Sequence, residues 1–456
     1  MRSNARLDAE HNVFTLSAPR SHRQDEFDTW VKGEVVSHLV GDFLGFAGIF
    51  STDGPVWYHQ RKLASHIFAR ANFRSQIQAA VLGDVGKLDT LCNNVVSEGA
   101  RVNLPDIFHR FTLEAFVKMA FGVDLDILPE QHQGLEHTHA FATSFDYAQS
   151  YIERRPLSLI PMWAEVFTED GRKYRQCARF VNEFSTKLID ERYAAVDGKI
   201  EGASAATKSG KDLLQLFLDS GVPREDLPSV ILNFIIAGRD TTAQALSWFC
   251  WEMHQHPDVL ERVRQEVWSV LGRQPQRELE FDDHKELPYT QAALYESIRL
   301  HPAVPLSRRR AARDTVLKPN YDEATIESAK LPSLPVKKGQ AVQFSDYVIA
   351  RTPEVWGPDC EEYKPERFLS DQGQFKQPSQ YKYRVFSECR PRTCRRFSAR
   401  DADFACHLVT DSGPRLCLGQ TLATYEAMAV ISRLFGNFEL VWDSDIGSKP
   451  PTYLPA

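Results

Sequence analysis

Gly413-Pro414-Arg415-Leu416-Cys417-Leu418-Gly419 sets a cysteine between two glycines, just ahead of a helical pattern that runs from Thr421 to Ala429. That order describes a tight loop delivering a sulfur at a helix start. Backbone N–H groups and the helix dipole both favour negative charge there, so a thiolate is stabilised. Arg415, two residues before Cys417, adds a fixed cation. A lone cysteine is more often an inert core thiol, so what decides is whether the rest of the chain carries matching chemistry.

The 456 residues carry a net charge of −7, which argues against bulk nucleic-acid binding. Eight cysteines in this length do not make a disulfide scaffold, and no signal peptide implies an oxidising compartment, so a reduced, intracellular protein is expected. No apolar run approaches the roughly 18 residues of a membrane span, the nearest being Val230 to Ala237. Met1 to His11 are polar and charged, unlike a targeting segment.

Working outward, a long helix is expected from Leu227-Pro228 to His256, where Pro257 stops it. At 1.5 Å per residue it would be about 40 Å long. It is apolar on nearly every side except at Ala237-Gly238-Arg239-Asp240-Thr241-Thr242. Mid-helix glycine costs about 1 kcal/mol relative to alanine, so the interruption needs a reason. One reason is a kink where another element crosses. The other is function: Gly238 admits a flat ligand while Asp240 and Thr241 relay protons.

Asp53-Gly54-Pro55 turns the chain into a further helix, on which Trp57 and Arg61 share a face; such a pair is most often packing and a solvated charge, and otherwise an anion clamp. Glu296 and Arg299 lie three apart on a helix from Leu287 to Arg299, and Arg367 of Pro365-Glu366-Arg367-Phe368 is placed to close a cluster with them. Leu104 to Val196 reads as helical, residues 197–211 as a mobile loop, and Asp258 to Leu271 as a helix with one solvated charged face. Aromatics around Phe141 to Tyr147 read chiefly as core, with some available to line an apolar pocket. Gln340 to Phe344 and Tyr347 to Ala350 read as strands of a small mixed sheet.

Four ordered motifs, Ala237 to Thr242, Glu296 to Arg299, Pro365 to Phe368 and Gly413 to Gly419, together resemble the cytochrome P450 family over nearly the whole chain from Asp28 onward. The resemblance implies one domain over residues 1–456, mostly α-helical with a smaller β portion. It implies haem b (iron protoporphyrin IX), with Cys417 as axial iron ligand. Trp57, Arg61, Gly238, Phe386, Gly413, Arg415 and Gly419 would surround the cofactor. Asp240 and Thr241 would supply protons during dioxygen activation, a form of assistance worth roughly 10²–10⁴-fold in rate. Glu296, Arg299 and Arg367 would form a buried structural triad.

The implied reaction inserts one oxygen atom from O₂ into a C–H bond of an apolar substrate. Its electrons would come from NADPH through NADPH-cytochrome P450 reductase. Gly48 to Gly54, His59 to Lys62 and Ala237 to Ala243 look most like eukaryotic microsomal fatty-acid and alkane ω-hydroxylases, so a long-chain fatty acid is the expected substrate and the endoplasmic reticulum membrane the expected location. No membrane anchor is written in this sequence. A haem-thiolate isomerase or dehydratase is the alternative chemistry, although such enzymes tend to lack the Asp240-Thr241 pair.

The sequence departs from the family pattern twice. Only 56 residues precede Trp57, too few for the leader, first helix and main sheet that normally come first, so truncation at the front is expected. Between Phe386 and Gly413 lie 26 residues where the family has two. This stretch, residues 387–412, holds Cys389, Cys394 and Cys406 and five arginines. A zinc site with His407 has poor spacing, and a tolerated surface loop is possible because closure entropy grows slowly with length. A translated, unspliced intron is the favoured reading. A non-catalytic product of a faulty gene is therefore a further alternative, and the stretch is expected to disturb the N–H groups around the sulfur and weaken haem binding.

Overall fold

The computed structural model describes residues 28–68, 71–155, 158, 160–196, 212–273, 277–317, 333–378, 382–386 and 415–442. Among them the fold is mostly helical with a smaller β portion, as expected. The helices are α1 (Glu34–Leu44), α2 (Gly54–Phe68), α3 (Ala71–Glu98), α4 (Leu104–Phe121), α5 (Ala140–Arg154), α6 (Glu169–Val196) and α7 (Leu213–Asp219). There follow α8 (Leu227–Gln255), α9 (Pro257–Leu271), α10 (Pro288–Leu300), α11 (Asp346–Ala350), α12 (Pro353–Trp356) and α13 (Gln420–Asn437). The stretches 1–27, 197–211 and 387–412 lie outside the described residues.

Helix α8 is the axis. Pro228 stands in its first turn, where a missing N–H costs nothing, and Pro257 opens the next helix. Nineteen of its residues are buried, so it packs on several sides at once. Its most extensive partner is α4, which contributes Phe108, Phe111, Phe116 and Phe121 to the core. Helices α3, α9, α10 and α13 complete this body, and α13 packs directly on α8.

The charged face of α9 is not simply solvated, contrary to the expectation from sequence. Glu266 accepts the backbone N–H groups of Tyr289 and Thr290 at 2.8 and 2.7 Å, and so caps α10 from a neighbouring helix. Arg264 donates to the carbonyls of Phe435, in the last turn of α13, and Phe438, just past its end. Orphan groups at helix ends need partners, and long polar side chains across the interface provide them.

The described strands are β1 (Trp30–Val31), β2 (Leu306–Ala311), β3 (Thr315–Leu317), β4 (Leu334–Val336) and β5 (Ala341–Ser345). They form an antiparallel sheet of order β1-β2-β5 and an antiparallel pair β3-β4, rather than a mixed sheet. Tyr347 to Ala350 belongs to α11, not to a strand. Ser345 caps it by accepting the N–H of Val348 at 3.2 Å, and that local bond wins over the β-propensity of the apolar run. No helix among the described residues is long and apolar enough to cross a membrane.

Candidate active site

Cys417 lies two residues before Gly419, the N-cap of α13. Its backbone N–H donates to the carbonyl of Phe386 at 2.8 Å, so residues separated by 30 positions are neighbours at the site. The N–H groups of Gly419 and Gln420 face the sulfur. The 387–412 stretch that was expected to disturb these groups lies outside the described residues. Cys417 is solvent-accessible yet ringed by protein. That crowding raises its thiol pKa, against the lowering pull of Gly419 N–H, the Arg61 guanidinium and Gln420 N–H. Gly413, also expected here, lies outside the described residues.

Beside the cysteine loop the described residues gather several basic side chains, Lys32, Arg61, Arg309, Arg384 and Arg415. Arg415 donates to Asp53 at 2.5 Å and lies over the Trp57 ring with its guanidinium 4.3 Å from the ring centroid. Asp53 also accepts the backbone N–H groups of Lys32 and Gly33, both at 3.1 Å, which pins the end of β1 to the start of α2 and to the cysteine loop. Burial depresses Arg61 to about 10, with Arg415 adding repulsion and Cys417 opposing it. Burial and repulsion by Arg415 and Arg384 bring Arg309 down to about 9, although Asp53 pulls the other way. Lys32 is held well below the ordinary lysine value by burial and then by Arg309 and Arg415, with Asp53 opposing. Arg384 reaches Asp346 only at 3.8 Å, and its buried Nη1 has no hydrogen-bond partner. Such a cluster costs energy until an anion joins it.

Sequence reading anticipated Trp57, Arg61 and Arg415 but missed Lys32, Asp53, Arg309 and Arg384. The overlooked signal was Arg308-Arg309-Arg310 in a strand. Alternation of side chains forces one of three consecutive arginines inward, and Arg309 is the buried one.

On α8, Asp240 is buried, with Arg239 Nη1 at 3.0 Å from its Oδ1. The same Nη1 reaches Asp146 of α5 at 2.5 Å. Burial raises the Asp240 pKa, opposed by Arg239 and more weakly by His109. Its Oδ2 has no hydrogen-bond partner. The Thr241 hydroxyl donates back to the Ala237 carbonyl at 2.8 Å. Gly238 is needed for packing: a β-carbon there would overlap the Phe116 ring of α4. Thr242, next in line, bonds Glu426 of α13, which joins the helix of the acid–alcohol pair to the helix of the cysteine loop.

Glu296, Arg299 and Arg367 meet in one network. Arg299 grips Glu296 through two bonds of 2.6 and 2.8 Å, and Arg367 Nε lies 3.3 Å from Glu296 Oε1. The remaining donors of Arg299 reach the carbonyls of Ala350, Cys360 and Glu362. Arg367 holds the carbonyls of Trp356 and Asp359. The network ties α10 to the segment that runs through α11 and α12 to Phe368. It lies under the cysteine loop, with Tyr295 of α10 set 5.7 Å from the Phe386 ring.

These residues fit a haem. The set offers one soft sulfur ligand, N–H groups that favour its thiolate, and a group of buried cations suited to two carboxylates.

Residues 22–388 match the family model described as Cytochrome P450, a span that stops short of Cys417. The chain is 35% identical over 426 residues to cytochrome P450 monooxygenase cyp1 of Mycosarcoma maydis, covering 91% of this chain and 60% of that protein. It is 28% identical over 438 residues to cytochrome P450 94A1 of Vicia sativa, covering 94% and 75%. Against cytochrome P450 86B1 of Arabidopsis thaliana it is 29% identical over 432 residues, covering 90% and 69%.

Proposed function

The chain belongs to the cytochrome P450 family, and from that premise we propose that it is a haem-thiolate monooxygenase inserting one oxygen atom from O₂ into a C–H bond of a long-chain fatty acid. The observation that carries the reading is the convergence of Gly419 N–H, Gln420 N–H and Arg61 on the Cys417 sulfur. When bound, haem supplies the redox chemistry that splits dioxygen.

The chain's residues divide the remaining work. Arg61, Arg309 and Arg415, with Lys32 close by, would hold the two carboxylates of the cofactor as a group of buried cations. Cys417 would hold the haem iron through its sulfur, with the Gly419 and Gln420 N–H groups favouring the thiolate. Burial favours the protonated form of Asp240 against the pull of Arg239, which suits this carboxyl to holding and passing a proton. Thr241, whose hydroxyl hydrogen is engaged with Ala237, offers its oxygen as an acceptor beside it. Electrons come from NADPH through a reductase.

The substrate class rests on the likeness of Gly48 to Gly54, His59 to Lys62 and Ala237 to Ala243 to ω-hydroxylases. An endoplasmic reticulum membrane setting is supported by the apolar turn of Ile160, Met162, Trp163 and Phe167, all exposed, two of them by about three quarters.

The test is an absorption spectrum of the reduced, carbon monoxide-treated protein. We expect a thiolate-shifted band that Cys417→Ser abolishes; a serine variant with unchanged colour and turnover would overturn the assignment. Spin-state shifts are expected with long-chain fatty acids. Shifts with sterols or polycyclic aromatics alone would remove the substrate class while leaving the reaction.

A further inference from the structure

Arg155, at the end of α5, spends all five of its N–H donors on three groups from two sides. Nε and Nη2 bond the Glu165 carboxylate at 2.9 and 2.8 Å, a two-point grip. Nη1 and Nη2 bond the Asp42 carboxylate at 2.9 and 2.7 Å, a second one. Nη1 also reaches the Leu39 carbonyl at 2.7 Å. Tyr174 of α6 donates to Asp42 Oδ1 at 2.6 Å, and Arg155 lies against the stacked Tyr151 and Tyr174 rings. One guanidinium thus fastens α1 to the end of α5, to the short turn carrying Glu165, and through Tyr174 to α6.

The two arms differ. The Glu165 side chain is 3% exposed and the Asp42 side chain 41%. Releasing Glu165 would strand a buried carboxylate, whereas Asp42 can exchange its partner for water. The arm that lets go is therefore Asp42, and with it α1.

What α1 covers leads to the reactive helix. Phe43 of α1 meets Phe145 of α5 edge to face with centroids 5.0 Å apart, and the Arg239 guanidinium lies 5.5 Å from the Phe145 ring. Arg239 is the residue paired with Asp240. A wall of Phe43 and Phe145 thus separates the clasp from the acid of α8.

We infer that Arg155 is a positioning residue that keeps α1 closed over this wall, and that detachment of Asp42 opens a path through which substrate enters toward Asp240. The entry step rests on the proposed function; the hinge does not. Hydrogen–deuterium exchange on the full chain tests the hinge. Asp42→Asn keeps shape but weakens the two-point grip, and should speed amide exchange in residues 34–44 by roughly 10- to 100-fold while α4 and α8 exchange as in the wild type. Tyr174→Phe, which removes one bond to the same carboxylate, should give a smaller acceleration of the same segment. Unchanged exchange in α1, or acceleration spread equally over α4 and α8, overturns the clasp.

The entry step is read by the fluorescence of cis-parinaric acid, a long-chain fatty acid. In Asp42→Asn its association and dissociation should quicken by the same factor, leaving Kd near its wild-type value. A change in dissociation alone would overturn the gate, since that marks a lost contact. Faster α1 exchange without any binding of the probe would reject the fatty-acid reading and leave the clasp standing.

Discussion

Glu426 shows how a single buried acid sets a pH response. It sits on α13 with its carboxyl enclosed, bonded by Thr242 and near Asp84, and burial pushes it up to about 8. In the unfolded chain it ionises near the ordinary glutamate value. Between those limits the folded state holds a proton that the unfolded state has lost, so stability is fullest below the unfolded value and falls as pH rises toward 8. One proton of difference corresponds to a slope of about 1.4 kcal/mol per pH unit. Glu426→Gln should flatten this decline: urea unfolding at pH 5 and 7.5 should show the variant gaining on the wild type at the higher pH. Gly238 makes a second case. Alanine would gain roughly 1 kcal/mol of helix propensity but press into Phe116, an overpacking that costs about 1–3 kcal/mol. Gly238→Ala should therefore destabilise the wild type and stabilise a Phe116→Ala background, a change of sign visible in paired melts.

Among the elements, α8 was readable because its prolines mark both ends and its apolar residues leave few choices. The triad was readable too, as a spacing of three on one helix followed by a distant arginine. Its enclosure was not, because an exposed Glu-Arg pair has the same spacing. Once buried, the network no longer behaves like a surface pair: Glu296 is wholly enclosed and Arg299 nearly so. Arg299→Met should leave Glu296 without its main partner and cost roughly 3–5 kcal/mol, measurable as a lowered midpoint in chemical unfolding. What sequence hid was mostly long-range. The cap that Glu266 provides for α10 crosses between helices, and α11 looked like a strand because its serine cap lies outside the apolar run. Lys32, Asp53, Arg309 and Arg384 come from four separate segments, and only folding gathers them beside Trp57.

For the molecule as a whole, the cysteine loop is the meeting point of segments far apart in the chain. Asp53 ties β1 and α2 to Arg415, Phe386 ties the segment after the triad to Cys417, and Thr242 with Glu426 ties α8 to α13. A cofactor held there would be gripped by every layer at once, so its loading should stabilise the entire fold. Shortening the chain to leave two residues between Phe386 and Gly413 tests whether the extra stretch matters. We expect the shortened protein to take up more haem, scored by the carbon monoxide band per mole of protein; equal occupancy in both forms would show that the stretch is neutral.

The bond between the Phe386 carbonyl and the Cys417 amide makes the chain leave and rejoin the described residues at one point, like the knot of a noose. A protease nick anywhere along the intervening stretch should leave two fragments that travel as one particle through gel filtration and separate only in denaturant. By the same logic a foreign domain spliced into the noose would leave and re-enter the protein at a single point, which makes this position the natural port for a reporter.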